Sequence, residues 1–302
     1  LQSRGEMLVA ASTIRENTAA QNGGGVWLGR LTGATGFARI EDSEIVDNES
    51  TEGSGGGVYV YFGDPEIRRT LIAGNSAQQN GGGLFLWLAD VAAAFENLTV
   101  SGNSTAGPAT KGGGLYVFSL VGPNSTFRNL TFADNASPAG GTQIGSDNPA
   151  YAANLVLRNS IVKGASACSQ ALGTGGGNVA SGTTCGLDDP TDQSNADAGL
   201  AAIADNGGPT RTRALTGGAA NPADAAGADC PTEDQRTFVR SSATCDAGAY
   251  ESLGPASATA FFCGPDYDGL STQLGYIVAD VIPLAEATAG DIANCLIDRY
   301  VD

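Results

Sequence analysis

The stretch Gly81-Gly82-Gly83-Leu84-Phe85-Leu86-Trp87 returns in three other places along the chain. The other copies, at successive intervals of 32, 26 and 31 residues, are Gly23-Gly24-Gly25-Val26-Trp27-Leu28, Gly55-Gly56-Gly57-Val58-Tyr59-Val60-Tyr61 and Gly112-Gly113-Gly114-Leu115-Tyr116-Val117-Phe118. A degenerate fifth copy stands at Gly140-Gly141. Repeats of this length each form one supersecondary unit, whose apolar face is buried only when neighbouring units stack. The sequence therefore predicts a repeat protein.

Apolar residues alternate with other residues in two parts of each repeat. The residues directly after the triplets and two further on are Val26, Val58, Leu84 and Leu115, then Leu28, Val60, Leu86 and Val117. Period-two alternation over short runs indicates half-buried strands. Strands that recur once per coil in the same direction pair in parallel, and the Gly triplets suit the tight corners between them. We therefore predict an all-β fold, a right-handed parallel β-helix or solenoid of about five to six coils.

An Asn precedes each triplet by a short polar loop, and these residues are Asn17, Asn48, Asn75, Asn103 and Asn135. A side-chain amide at the same corner of every coil can bond the amide of the next coil, which would build an internal Asn ladder. N-glycosylation is the rival interpretation, since N-x-S/T frames hold Asn48, Asn97, Asn103, Asn124, Asn129 and Asn135. The ladder is favoured, because Asn17 and Asn75 keep the register without the frame.

Charge and composition exclude several classes of protein. The 302 residues carry 15 Lys and Arg against 32 Asp and Glu, with no His, for a net charge of −17. This balance argues against nucleic acid and anionic membrane surfaces as partners, because basic side chains must replace their counterions. Without His, the Ser/His and Cys/His nucleophile systems are excluded. No apolar run reaches the length of a membrane span.

The six cysteines all lie in the second half of the chain. Their local spacing favours the pairs Cys168–Cys185, Cys230–Cys245 and Cys263–Cys295 among fifteen combinations. Disulfides imply an oxidising compartment, so we expect an extracellular or cell-surface location. The chain also begins at Leu1 without Met or a signal peptide, which we interpret as a mature or processed chain.

Residues 200–251 contain an ordered set of short motifs: Asp205-Asn206-Gly207-Gly208-Pro209-Thr210, Asp224-Ala225-Ala226-Gly227, Asp234-Gln235-Arg236, Arg240 and Cys245-Asp246-Ala247-Gly248-Ala249-Tyr250-Glu251. Together with the repeats, this ending resembles the choice-of-anchor Q domain family. The resemblance implies a bacterial exported protein with a Gly- and Asn-rich parallel β-helix, followed by a sorting anchor. Residues 252–302 depart from that pattern, because they contain neither a spanning helix nor an LPxTG-like motif.

We accordingly divide the chain into three parts. Residues 1–163 are the predicted repeat array, and residues 164–251 are a loop-rich, disulfide-tied module. Residues 252–302 are expected to form a tail or cap, with Cys263, Cys295 and a mildly amphipathic helical segment, Ile277–Tyr300. We expect Arg236 and Arg240 to pair with Asp234, Asp246 or Glu251 and to hold the module on the last coil.

Outward aromatic residues form the leading candidate surface. One column holds Trp27, Tyr59, Phe85 and Tyr116, and the next holds Tyr61, Trp87 and Phe118. Coils stack at roughly 4.7–4.9 Å, so the rings should form a continuous strip. Three interpretations stay open: loops or the tail of the same chain cover the strip, another protein binds it, or it is a platform for sugar rings.

Charged residues offer weaker candidates. The acids Glu41, Asp42, Glu44 and Asp47, with Glu49 and Glu52, are either a solvated edge or a Ca²⁺ site. A second acidic group, Asp188, Asp189, Asp192 and Asp197, resembles the paired acids of β-helical polysaccharide hydrolases. It lies outside the coils, however, and chance in an Asp-rich chain explains it adequately. Arg68, Arg69, Arg128 and Arg158 could neutralise charge in a uronate lyase, but a structural role is the favoured interpretation.

These observations favour a secreted, non-catalytic structural or surface protein. No cofactor is expected, and Ca²⁺ is the one weak candidate. Its expected partners are further copies of itself, as a homopolymer, or other surface proteins. Because Val9 occupies a core position without a polar cap before it, the face of the first coil should be open or covered by something else. If it is open, head-to-tail contacts would build a filament. A glycan-binding adhesin and a polysaccharide lyase or hydrolase are the competing hypotheses, since one fold hosts several functions.

Overall fold

The computed structural model describes residues 1–3, 6–29, 37–89, 93–121, 125–218, 221–241 and 244–252. Leu1–Glu251 form one compact unit, and Ser252–Asp302 form a second, of which only Ser252 is described. The predictions for Cys263, Cys295 and the segment Ile277–Tyr300 therefore lie outside the described residues. Strands are numbered in chain order below.

Three parallel sheets run along the coils. The aromatic sheet has six strands in the order β1 (Gln2–Ser3), β5 (Val26–Gly29), β9 (Val58–Tyr61), β12 (Leu84–Ala89), β15 (Leu115–Val121) and β17 (Ile144–Gly145). The small sheet holds β4 (Thr18–Ala19), β8 (Glu49–Ser50), β11 (Ser76–Ala77) and β14 (Ser104–Thr105).

The charged sheet is the largest, with 12 strands. Its main path is β2 (Met7–Ala10), β6 (Phe37–Glu41), β10 (Asp64–Ala73), β13 (Ala94–Ser101), β16 (Thr126–Ala133), β19 (Ile161–Val162), β21 (Val179–Ala180) and β22 (Gln193–Ser194). Beside this path lie β3 (Thr13–Arg15), β7 (Glu44–Val46), β18 (Val156–Arg158) and β20 (Gly173–Thr174). All pairings in these three sheets are parallel and join equivalent residues of successive coils, as the repeat predicted.

Side chains that point between the sheets form the core. The predicted inward residues after the triplets are all buried: Val26, Leu28, Val58, Val60, Leu84, Leu86, Leu115 and Val117. The same core cluster contains Ile40, Ile67, Phe95 and Phe127 of the charged sheet. The rings of Phe95 and Phe127 stack between neighbouring coils, with centroids 4.9 Å apart. The parallel solenoid predicted from the alternation is thus confirmed.

The Gly triplets make the corners before the aromatic sheet. The first Gly adopts a left-handed backbone, with φ of 68° at Gly55. A Cβ atom on the second, at Gly56, would overlap the backbone carbonyl of Ser76 in the next coil. Both positions therefore require glycine, one for conformation and one for the close approach of two coils.

The last part of the compact unit folds back along the solenoid. Residues 200–251, here named the strap, begin with an antiparallel hairpin of β23 (Leu200–Ala204) and β24 (Thr212–Leu215). Ile203 of this hairpin packs on Val46, Leu71 and Ala73, which point outward from the charged sheet. The one α-helix of the described residues, α1 (Pro149–Ala153), begins after the N-cap Asn148, whose side chain accepts a hydrogen bond from the Ala150 N–H.

The strap extends much further along the array than the sequence predicted. The expected attachment to the last coils is present, because Asn159 binds the Ala228 carbonyl of the strap. It is not the only attachment, since Arg211 of the strap binds Glu44 and Arg240 binds Asn97. These contacts lie on early and middle coils of the charged sheet. The attachment could not be predicted, because strap and coils do not share a repeat that would set their register.

Two predicted disulfides are confirmed. Cys168 pairs with Cys185, and both are buried in the main core cluster. Cys230 pairs with Cys245 and closes a loop of the strap.

Candidate functional site

The repeated Asn residues form a continuous hydrogen-bonded ladder inside one corner of the solenoid. Asn48 Nδ2 donates to Asn75 Oδ1, and Asn75 Nδ2 donates to Asn103 Oδ1, each at 2.9 Å. Asn17 and Asn135 extend the ladder at its two ends, by 2.8 and 2.9 Å bonds. Each oxygen from Asn48 to Asn135 also accepts the backbone N–H of the preceding Asn. The ladder therefore satisfies buried polar groups in every coil that it crosses.

Five of the six N-x-S/T frames hold a buried Asn. Asn48, Asn103 and Asn135 are occupied by the ladder, and Asn97 and Asn129 are also buried. A glycan on any of these would require the corner to unfold. Asn124 lies outside the described residues.

A second column of corner residues was not predicted. Asn97, Asn129 and Asn159 adopt left-handed backbones with φ of 54°, 55° and 49°, and they occupy equivalent positions in successive coils. Asn tolerates this conformation better than most residues. The signal in the sequence was the recurrence of Asn at 32 and 30 residues, which the N-L-T frames at Asn97 and Asn129 hid.

This second Asn column is the docking site of the strap. Asn97 Nδ2 donates to the Glu233 carbonyl at 2.8 Å, and Asn159 Nδ2 donates to the Ala228 carbonyl at 2.8 Å. Asn129 Nδ2 donates to the carbonyls of Asp246 and Gly248 at 3.3 Å. Side-chain amides of the coils thus bind the backbone of the strap, as one coil binds the next elsewhere in the solenoid.

The Asp234-Gln235-Arg236 motif holds the strap together and joins it to the array. Asp234 and Arg236 form a fully buried ion pair at 2.8 Å. The Arg236 guanidinium lies between two aromatic rings, 4.3 Å from the centre of Phe238 and 3.7 Å from that of Tyr250. It also donates to the Asn206 and Glu251 carbonyls. These contacts give the motif a structural role.

Arg240 joins the end of the strap to a middle coil. It pairs with Glu251 at 2.8 Å and donates to Asn97 Oδ1 at 3.0 Å. Burial lowers the pKa of Arg240, and burial together with the nearby Asp246 carboxylate raises the pKa of Glu251. Both groups are buried and paired with each other, so each charge depends on its partner.

The first aromatic column is stacked and buried. The ring centroids of Tyr59 and Phe85 are 4.7 Å apart, and those of Phe85 and Tyr116 are 5.4 Å apart. Burial is the main reason that the pKa of Tyr59 is raised to about 12. Trp27 is half-buried and packs over Gly29, where a Cβ atom would overlap its ring.

The second aromatic column is less regular. The Tyr61 ring lies edge-on to Trp87, with centroids 4.9 Å apart. The sequence predicts Phe118 opposite Trp87, but a β-bulge shifts the register after Leu86, so that Trp87 lies opposite Ser119. Phe118 nevertheless contacts Trp87, with centroids 4.5 Å apart, and remains 45% exposed. The strip is therefore an irregular, half-exposed cluster at this end.

A polar cluster lies at the edge of the first aromatic column. The Tyr116 hydroxyl donates to Asp147 Oδ2 at 2.7 Å, and Lys111 Nζ donates to Asp147 Oδ1 at 2.6 Å. These hydrogen bonds, that of Lys111 first, lower the pKa of Asp147, whereas burial chiefly raises the pKa of Tyr116.

Three of the four candidate calcium acids, Glu41, Asp42 and Glu44, lie beside arginines. Arg69 forms a bidentate ion pair with Asp42, with distances of 2.6 and 2.7 Å, and its guanidinium lies 3.8 Å from the Glu41 carboxylate. Arg211 pairs with Glu44 at 2.7 Å, while Asp47 is an exposed corner residue with φ of 55°. An open pocket of about 460 Å³ lies between the strap hairpin and these coils and is lined by residues of both. In the described part of the chain, no three His, Cys, Asp or Glu side chains are arranged to hold a metal ion.

The candidate lyase arginines also have acidic partners. Glu41, Arg68, Glu96, Arg128 and Arg158 occupy one column of the charged sheet. Arg68 pairs with Glu66, Arg128 pairs with Glu96 at 2.5 Å, and Arg158 pairs with Asp229 at 3.2 Å. Each of these three arginines therefore has an acidic partner, which for Arg128 lies in the same column and for Arg68 and Arg158 lies outside it.

The second acidic group is dispersed among structural contacts. Asp192 accepts hydrogen bonds from the backbone and the side chain of Asn178, both at 2.9 Å. Asp189 accepts from Thr191, and Asp197 pairs with Lys163. Asp188 is exposed. Three of these four carboxylates thus have structural partners.

Comparison with known proteins identifies the family. A model of the family described as "Right handed beta helix region" matches residues 9–185. Neither a curated protein nor a solved structure gives a significant match. Within the described residues, no helix is long and apolar enough to cross a membrane. The matched region is more than half of the 302-residue chain and covers the stacked coils, and the chain therefore belongs to the right-handed β-helix family.

Proposed function

We propose that this protein is a secreted, non-catalytic structural protein of a bacterial cell surface, related to the choice-of-anchor Q domain family. The proposal rests on the pairing of arginines with carboxylates on the charged sheet. Arg68, Arg69 and Arg128, which a lyase would need for its substrate, are each bound to a carboxylate of the same or a neighbouring coil. Such pairs favour stiffness of the rod over chemistry on a substrate.

The strap supports the same function. It joins early coils to late coils, from Glu44 to Asn159, and therefore resists bending and opening of the solenoid. Two disulfides suit an oxidising environment outside the cytoplasm. The strap motifs that resemble the choice-of-anchor Q ending make structural contacts, such as the buried Asp234–Arg236 ion pair.

Assembly into head-to-tail filaments is the form of this function that we propose. Parallel coils stack by the same backbone bonds throughout, so two ends of a solenoid are complementary by construction. The test is light scattering with electron microscopy over a range of concentrations, together with turnover assays on uronate and neutral polysaccharides. Concentration-dependent rods without turnover are expected. A monodisperse monomer would contradict assembly, and turnover would contradict the non-catalytic role.

One observation favours glycan binding as a second function. Phe118 exposes 45% of its surface beside the half-buried Trp87. Aromatic faces of this kind stack on sugar rings. Wild type and Phe118→Ala should be compared on immobilised glycans, with Val121→Ala as the control, because Val121 is also exposed on β15. Equal binding by all three proteins would remove this candidate.

A further inference from the structure

The two described disulfides have different surroundings. Cys168 and Cys185 are 5% and 1% exposed, and both belong to the main core cluster. Cys245 is also buried, but its partner Cys230 is only half-buried. Cys230 is therefore the most accessible of these four cysteines, and it marks the side from which a reagent would reach this disulfide.

The buried sulfur of this disulfide faces two hydrogen-bond donors. Asn129 Nδ2 lies 3.8 Å and Asn159 Nδ2 lies 3.9 Å from Cys245 Sγ. Asn129 Nδ2 also donates to the Asp246 and Gly248 carbonyls, so a flip of this amide would place its oxygen against two acceptors. The orientation of the donor toward the sulfur is thus fixed by the strap itself.

Donors of this kind stabilise a thiolate more than a disulfide sulfur. A stabilised thiolate has a lower pKa and leaves faster in thiol–disulfide exchange. Attack at Cys230 would expel Cys245 as the thiolate that the two amides stabilise. Accessibility and leaving-group stability therefore both favour reaction at the same sulfur.

We propose that Cys230–Cys245 is a thiol–disulfide exchange site, with small thiols as its co-reactants. A thiolate attacks Cys230 Sγ, the bond between the two cysteine sulfurs breaks, and the electron pair leaves on Cys245 Sγ. A second thiolate attacks the reagent sulfur of the mixed disulfide and releases Cys230 as a thiolate. Two external thiols are oxidised to one disulfide, and their two electrons and two protons pass to Cys230 and Cys245.

Opening the bond frees the loop that contains Asp234, Gln235, Arg236 and Arg240. These residues connect the strap to Asn97 and Thr99 of β13. Reduction thus loosens the strap from the middle of the array, while the other disulfide keeps the core of the solenoid closed.

The direct test exposes the native protein to glutathione, quenches with an alkylating reagent and maps the cysteines by peptide mass spectrometry. We expect the glutathione adduct on Cys230, and we expect this disulfide to open at least about tenfold faster than Cys168–Cys185. An adduct on Cys245, or equal opening rates for the two disulfides, would overturn the proposal.

A pair of variants tests the amide donors. Asn129→Gly removes a donor to the sulfur, whereas Asn97→Gly removes an equivalent strap contact that does not touch it; Gly accepts the left-handed backbone at both positions. Exchange at Cys230–Cys245 should be slower in Asn129→Gly than in Asn97→Gly, by about threefold or more. Equal rates would show that the amides do not activate the disulfide.

Tryptic cleavage after Arg236 and Arg240 reports strap release, because both residues are buried in the oxidised protein. Cleavage there should rise as the adduct forms. Unchanged cleavage in protein already reduced at this disulfide would contradict the loosening of the strap.

Discussion

Thr99 and Gln235 are joined by a hydrogen bond of 2.7 Å from Thr99 Oγ1 to Gln235 Oε1, across 136 residues of sequence. Both side chains are fully buried. Gln235 Nε2 continues the connection to Thr210 Oγ1 at 3.0 Å and to the Arg211 carbonyl at 3.1 Å. One glutamine thus joins a middle coil to two separate parts of the strap.

Gln235→Ala should therefore destabilise the protein more than its size implies. The change leaves Thr99 and Thr210 without their partner in a buried interface, at a cost of about 2 kcal/mol in the free energy of unfolding. Denaturant unfolding measures this difference. Gln79→Ala is the control, because Gln79 makes an exposed bond to the Glu52 carbonyl. Equal effects of the two changes would mean that the Gln235 contacts carry no special weight.

The ladder provides a second matched pair. Asn75 is fully buried, and its side chain bonds Asn48, Asn103 and the Ile45 carbonyl. Asn75→Ala should lower the free energy of unfolding by about 3 kcal/mol, because several buried groups lose their partners together. Asn17→Ala, at an exposed position, should cost less than about 1 kcal/mol. Thermal and denaturant unfolding measure the loss of stability in both variants. Similar losses would contradict a cooperative ladder.

Arg236 should not tolerate lysine. An ammonium group cannot fill the space between Phe238 and Tyr250 while also meeting Asp234 and two carbonyls. We expect Arg236→Lys to cost about 3 kcal/mol, since the buried Asp234 loses most of its partner. Arg158→Lys is the control, because its ion pair with Asp229 is exposed and should be worth less than about 0.5 kcal/mol. Unfolding curves that shift equally would exclude the aromatic clamp as the reason.

Sequence alone predicted what repeats once per coil. The interval between Gly triplets placed Tyr59 on Phe85, and the spacing of the polar residues aligned Asn75 with Asn103. Both follow from stacking, because each coil sets the register of the next. The bulge beside Phe118 could not be predicted in this way, because it lies after the Gly triplet and does not alter the spacing between triplets.

The position of the strap on the coils could not be predicted for a different reason. Its contacts join segments that share no repeat, such as Arg240 with Asn97, 143 residues apart. The motif could be recognised and its internal Asp234–Arg236 pair predicted, but its position on the coils could not. Only the Asn97, Asn129 and Asn159 recurrence marked the surface on which it docks.

The Asp147 cluster should make the free energy of unfolding depend on pH. Hydrogen bonds from Lys111 and then Tyr116 hold the pKa of Asp147 below its ordinary value of 3.8. A lowered pKa means that the folded state prefers the carboxylate, so the stabilisation is present above 3.8 and is lost as the pH falls through the lowered value. The Asp147→Asn variant has no carboxyl group that titrates at this position. The difference in unfolding free energy between wild type and Asp147→Asn should therefore shrink as the pH is lowered from about 5. Lys111→Met, which removes the larger cause, should show a weaker dependence than wild type. Parallel pH profiles for wild type and Asp147→Asn would contradict the assignment.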